Sequence, residues 1–194
     1  MIIAAALARQ GLVTGQSPVA ANPFNTFYMT AAGSSLTFSE TNQRVVHADA
    51  NSTAIMWDGR GVGDYAISFK VMVFPSAARV GFRLGPTPTG AVNVVGEVAG
   101  EYAYLSTGEF VLNGATQATL ATWLLNDEIT LLRRRNAGTI EAFKNGTSQG
   151  IVAAGVPVTS YFYPATYANG GTTTSFRILT AAPFTLPTGA EYWI

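Results

Sequence analysis

The chain has 194 residues, enough for one well-buried domain, and 48% of them are hydrophobic against only 11% charged. Its 11 basic and 11 acidic residues cancel to zero formal net charge, which leaves no field to attract a phosphate backbone and sets nucleic acid aside as a partner. The absence of cysteine removes disulfides, thiolate catalysis and thiolate metal sites together, and so few charges point to a surface partly covered by neighbours in an assembly.

Residues 1 to 22 read as an N-terminal arm and residues 23 to 194 as a single domain. The start, Met1-Ile-Ile-Ala-Ala-Ala-Leu-Ala-Arg9, suits a short helix that Gly11 and Gly15 bring to an end. Its basic residue follows the apolar run instead of preceding it, which favours a structural arm over a cleaved signal. The run is too short to span a bilayer, so no membrane partner is expected. A helix of this length is marginal alone and needs its own body or a neighbouring subunit to dock on.

From Phe24 onward, short β-type runs alternate with Gly, Asn, Pro and Asp at intervals of about ten residues, the pattern of a sandwich or barrel. In chain order the expected strands are Thr26–Met29, Leu36–Ser39, Arg44–His47, Ala54–Trp57, Asp64–Phe74, Val80–Leu84, Val92–Glu97, Tyr102–Ser106, Glu109–Leu112, Glu128–Arg135, Thr139–Lys144, Tyr161–Tyr167 and Thr174–Leu179. In the longest of them Ile67, Phe69, Val71 and Val73 share one face and are expected in the core, and Pro75 ends the run. Ala115–Leu125 is expected as loop or short helix, because it is rich in Thr. The fold class that follows is all-β, an antiparallel β-sandwich with a short N-terminal arm.

Candidate chemistry is sparse. His47 is the sole histidine; a Ser-His-Asp set would need Asp49 beside it, and no Gly-x-Ser-x-Gly elbow exists, so His47 reads as a strand residue. One His without Cys excludes the usual zinc sets; Asp58-Gly-Arg-Gly-Val-Gly-Asp64 leaves calcium formally open but lacks the ligand density of an EF-hand, has Arg60 between its carboxylates, and has no Lys-Ser/Thr for a phosphate cradle. Neither metal nor cofactor is expected. Paired carboxylates for glycoside hydrolysis could come only from Glu97 with Glu101, across a turn at Ala99-Gly100, since Asp127 and Glu128 face opposite sides of a strand. The run Arg133-Arg134-Arg135 splits between two faces in the same way, with Glu141 on the next strand able to pair with one of the three. Among the aromatic residues, Trp57 and Tyr102 are the candidate positions for stacking a sugar ring.

The segment Trp123 to Gly146 contains two apolar-rich runs joined by Asn136-Ala137-Gly138 and closed by Asn145-Gly146, a type I′ turn signal. The order of an aromatic, Asp-Glu-Ile, a turn ending in Gly-Thr-Ile, and Lys-Asn-Gly resembles the central hairpin of SPRY domains, which are concanavalin-like sandwiches. Tyr161-Phe-Tyr-Pro-Ala resembles that family's aromatic-Tyr-Pro-Ala strand. Gly100-Glu-Tyr-Ala-Tyr-Leu-Ser-Thr-Gly-Glu109 resembles the segment before the hairpin. Ala182-Pro-Phe-Thr-Leu-Pro-Thr-Gly-Ala190 resembles the tail of SPRY-like proteins in bacteriophage structural modules. The resemblance covers roughly residues 62 to 194. It departs from the family at Asn126, Thr130, Arg134 and Ala142, so a peptide-binding surface is not carried over.

The resemblance implies a SPRY or jelly-roll-like sandwich serving as a binding or structural module. Together with the low charge and the apolar arm, it leads to the expectation of a non-enzymatic bacteriophage structural protein. Such a protein would be located in the virion, as a capsid decoration or a tail or fibre component. It would assemble with copies of itself and with other virion proteins. The alternative is a carbohydrate-binding module that recognises a cell-surface glycan.

Overall fold

The computed structural model describes residues 27–29, 36–40, 43–48, 52–56, 63–74, 78–85, 94–159, 161–168, 173–179 and 182–192. The expected arm, Asp49, Trp57 and most of the Asp58 to Asp64 loop lie outside the described residues.

The described residues form fifteen strands and no helix. They are β1 (Phe27–Met29), β2 (Leu36–Ser39), β3 (Arg44–His47), β4 (Ser52–Met56), β5 (Asp64–Val73), β6 (Ala78–Gly85), β7 (Glu101–Leu105) and β8 (Glu109–Leu112), followed by β9 (Ala115–Thr119), β10 (Glu128–Arg134), β11 (Thr139–Lys144), β12 (Thr147–Ala153), β13 (Tyr161–Ala168), β14 (Thr174–Ile178) and β15 (Ala190–Tyr192). They make two antiparallel sheets. The first runs β1-β4-β13-β6-β7-β8-β9, and the second runs β12-β11-β10-β5-β14-β3-β2, with β15 lying parallel to β5 at Asp64 to Ala66.

Alternation builds the core between them. Ile67, Phe69 and Val71 of β5 point inward beside Ile129 and Leu131 of β10, in the register Ile129↔Phe69 and Leu131↔Ile67. The facing sheet contributes Val80, Phe82, Tyr102, Tyr104, Phe110 and Phe162. Phe82 is the centre of the aromatic layer, its ring 4.2 Å from that of Phe162 and 4.9 Å from that of Tyr102. Trp123, fully buried, packs on Phe74, Tyr104 and Phe176, and so ties the chain just before the hairpin to both sheets.

The hairpin has the expected geometry. β10 pairs β11 from Ile129↔Lys144 to Arg134↔Thr139, with Gly138 at φ +60°, and Asn145 and Gly146 take φ of +50° and +77° in the turn to β12. Pro164 is accommodated inside β13 because pairing with β4 starts only at Ala165, so a missing donor one residue earlier falls beyond that ladder.

Five assignments are corrected. Ala115–Thr119 is a strand, because it closes a tight hairpin with β8 through Asn113 and Gly114, both at positive φ. Thr147–Ala153 and Ala190–Tyr192 are strands too: one is stitched to β11, the other to the flank of β5. Residues 94 to 97 form turns and bends instead of strand, because the segment folds back over the outer surface of the first sheet. Val73 is 36% exposed and not core, since β5 reaches past the inter-sheet layer at that end.

Candidate interaction surface

Sequence alone proposed Trp57 and Tyr102 for ligand stacking. Trp57 is outside the described residues. Tyr102 sits in β7 with its ring stacked on Phe82 and is 4% exposed, so it is an inter-sheet residue; alternation along β7 sends Tyr102 and Tyr104 inward together. Burial pushes both phenols up, that of Tyr104 to about 12, with its hydroxyl donating to the Ala121 carbonyl.

Glu97 and Glu101 do flank the turn at Ala99-Gly100, and they hold the segment 94 to 100 against the first sheet. Arg79 donates to the Val95 carbonyl at 3.1 Å and pairs with Glu97 at 2.7 Å. Glu101, fully buried, accepts the Gly96 N–H at 3.2 Å. Between these contacts Val95 seats in a hollow of small residues. A Cβ on Gly81 would lie 2.0 Å from the Tyr102 carbonyl oxygen and 2.9 Å from Val95, and one on Gly96 would meet Val111 at 2.6 Å. Burial raises the Glu101 carboxyl above its ordinary value, opposed by the Gly96 and Val98 amides and the Arg83 charge. One of its oxygens and Arg83 Nη1 lie buried without a hydrogen-bond partner. In this arrangement Glu101 clamps a loop and has no open side toward a substrate.

The arginine run is likewise absorbed by the fold. Arg133 points inward and donates to the Pro157 carbonyl at 2.9 Å. Arg134, on the opposite face, pairs with Asp64 and Glu141 at 3.8 Å each, while Arg135 donates to the Asp64 carboxylate and the Val158 carbonyl. His47 is buried in β3 with Nε2 3.0 Å from the Thr166 hydroxyl of the other sheet. Asp127 accepts from Leu124 N–H, Asn145 Nδ2 and Lys144 Nζ; burial works against its charge, but these donors prevail and lower its pKa. Among the described residues no three His, Asp or Glu side chains gather as a metal-ligand group.

Much of the outer surface is also occupied. Phe184, Leu186 and Tyr192 lie on Ala66, Leu132 and Phe143 across the second sheet, and the Tyr192 hydroxyl donates to the Phe184 carbonyl at 2.9 Å. One open region among the described residues is the flank where the edge strands β9 and β12 approach one another, joined by Ala121 N–H to Gln149 Oε1 and Lys144 Nζ to Thr122 O. Leu124 beside β9 is 59% exposed and Ile151 of β12 66%, with Leu125 also exposed, while Tyr161 of β13 and Val158 are exposed elsewhere on the molecule. Sequence reasoning passed over the aliphatic residues among these. The available signal was charge, since no charged side chain occurs from Val111 to Asn126 or from Asn145 to Phe176.

This architecture of two antiparallel sheets, closed outside by the chain's own loop and tail, is a SPRY-like β-sandwich. The SPRY domain of human HERC1 superposes with a TM-score of 0.63 at 17% identity, covering 74% of this chain and 91% of that one. The PSpry domain of TRIM65 gives a TM-score of 0.60 at 11% identity over 80% of this chain and 92% of its own. Stonustoxin gives 0.59 at 13% identity; 79% of this chain is covered, against 26% of the toxin chain. No family model and no curated protein matches the sequence. At these identities the likeness is one of fold.

Proposed function

We propose that this protein is a non-enzymatic structural protein of a bacteriophage virion, a capsid decoration or a tail or fibre component, that assembles with copies of itself and other virion proteins. The observation that carries the reading is how the charges are spent. Of a small set of ionic side chains, Arg79 with Glu97, Lys70 with Glu128, Lys144 with Asp127, Arg134 with Asp64 and Glu141, and Arg177 with Glu40 are consumed in intramolecular pairs. Among the described residues few exposed charges are left outside these pairs, Glu191 being one, and much of the exposed surface is Thr, Ser, Ala and Gly, which suits packed copies better than a freely diffusing monomer. The phage context rests on the resemblance of residues 182 to 190 to the ending of SPRY-like proteins in bacteriophage structural modules. Native mass spectrometry of the chain with and without residues 1 to 22 tests assembly, with an oligomer expected for the full chain and a weaker one for the truncated form. A monomer in both removes the reading, and antibody labelling of purified particles tests the location.

A second reading, recognition of a cell-surface glycan, is favoured by one feature. Tyr161 is exposed, its ring backed by the buried Tyr163 with centroids 6.4 Å apart, and so offers one surface ring of the kind sugars pack on. A glycan array comparing the wild type with Tyr161→Ala and Trp57→Ala decides it: signal lost in either variant supports the reading, and no wild-type signal removes it.

A further inference from the structure

We infer that the flank formed by β9 and β12 is the face through which one copy of this chain packs against a second copy, by side-chain contact and not by strand addition. The inference rests on the homo-oligomer reading above and names its surface.

Charge singles out this face. The exposed residues of β9 and its flanks are Ala115, Thr116, Gln117 and Thr119, then Leu124 and Leu125; those of β12 are Thr147, Ser148, Gly150 and Ile151. The charges at the margin are held internally. Glu109 accepts from the Thr107 and Thr116 hydroxyls, Glu141 from Ser148 and from Arg134, and Lys144 is paired with Asp127 at 3.1 Å. A charged partner would lose ionic hydration here and gain no counter-charge, whereas a second copy brings an uncharged surface that gives up only the smaller hydration of hydroxyls and amides, which can pair with one another. A self-matching patch is what a two-fold contact between copies requires.

The edges are closed to strand addition. Gln117 and Gln149 are each the unopposed residue of a register shift, in β9 against β8 and in β12 against β11. Each turns its amide back on its own strand, Gln117 Nε2 to the Ala115 carbonyl at 3.1 Å and Gln149 Nε2 to the Thr147 carbonyl at 3.2 Å. The Gly150 N–H is likewise taken by the Ser148 hydroxyl at 3.1 Å. Bulges and capped carbonyls are how edges avoid open-ended pairing. Open-ended pairing of strand edges is thereby blocked, which leaves side-chain contact as the mode of packing.

The test is sedimentation velocity and native mass spectrometry of the full chain across a concentration series, for wild type, the double variant Thr116→Lys with Ile151→Lys, and Thr37→Lys on the opposite edge strand β2. All three positions are exposed, Ile151 among the most, and far-UV circular dichroism checks that each variant stays folded. The expected result is an oligomer for wild type and Thr37→Lys, and dissociation at a concentration about tenfold or more higher for the double variant, as like charges meet across the contact. An oligomeric wild type whose association is unchanged in the double variant overturns the flank assignment alone. A wild type that stays monomeric throughout overturns the assembly reading on which it rests.

Discussion

Replacing Trp123 by Ala and by Phe separates packing from hydrogen bonding at the centre of the fold. The indole is fully buried against Phe74, Tyr104 and Phe176, rings contributed by three different strands or their ends, and its Nε1–H meets no acceptor. A buried tryptophan removes roughly 150 to 250 Å² from water, worth about 4 to 6 kcal/mol at ~25 cal/mol per Å². Measured truncations of large buried aromatics cost about 3 to 5 kcal/mol. Trp123→Ala is therefore expected to lose about 4 kcal/mol, and at ~2 to 4 °C per kcal/mol for a domain of this size the melting temperature falls by roughly 8 to 15 °C. Trp123→Phe keeps a ring in the slot and removes the buried donor that has no acceptor, so the smaller cavity is partly offset and the loss stays below about 1.5 kcal/mol. Urea unfolding followed by circular dichroism, with the slopes held equal between variants, reads both numbers. If the Phe variant loses as much as the Ala variant, a hydrogen bond and not ring packing holds residue 123, and the account of the core is wrong.

Three further outcomes follow from the same contacts. Because Glu101 titrates above its ordinary value of 4.5 when folded, the folded state binds the extra proton, so its favourable contribution is complete below the unfolded value and is lost as pH rises through the folded one. Relative to Glu101→Gln, the wild type should gain stability as pH falls from neutral toward 4.5; a pH-independent difference between the two refutes the burial argument. Asp127 behaves in the opposite sense: its lowered carboxyl stabilises above the unfolded value of 3.8 and loses that contribution as pH falls through the folded one. Asp127→Asn should remove that acid-side loss, as a denaturation series between pH 2 and 5 would read. Tyr102→Ala should unfold at lower urea by about 3 to 5 kcal/mol, as a core truncation does; an unchanged midpoint would mean that the Phe82 stack contributes nothing.

The strand grammar was legible because alternation, Gly-containing turns and Pro stops are local. β2, β3, β8 and β11 have the expected bounds, and Arg134 meets Glu141 as strand parity requires. Parity also placed Ile67, Phe69 and Val71 on one face, yet it could not separate Tyr102 the ligand platform from Tyr102 the core residue. An aromatic on either side of a strand looks the same until a second sheet is laid against one of them. β9 and β12 were missed for a related reason: Thr, Ser, Gln and Gly carry weak strand preference, and only pairing to β8 and β11 fixes them.

By itself the sequence determined an all-β sandwich, the hairpin from Trp123 to Gly146 and the poverty of charge, since each is a property of neighbouring residues or of composition. Tertiary structure alone decided where that poverty matters. Parts of two uncharged stretches, β9 and β12, become one flank only when these strands end their separate sheets side by side. The candidate carboxylates Glu97 and Glu101 became a loop clamp only when residues 94 to 100 folded back onto Gly81 and Ala103. Long-range closure sets what is buried, and burial divides a candidate site from a structural contact.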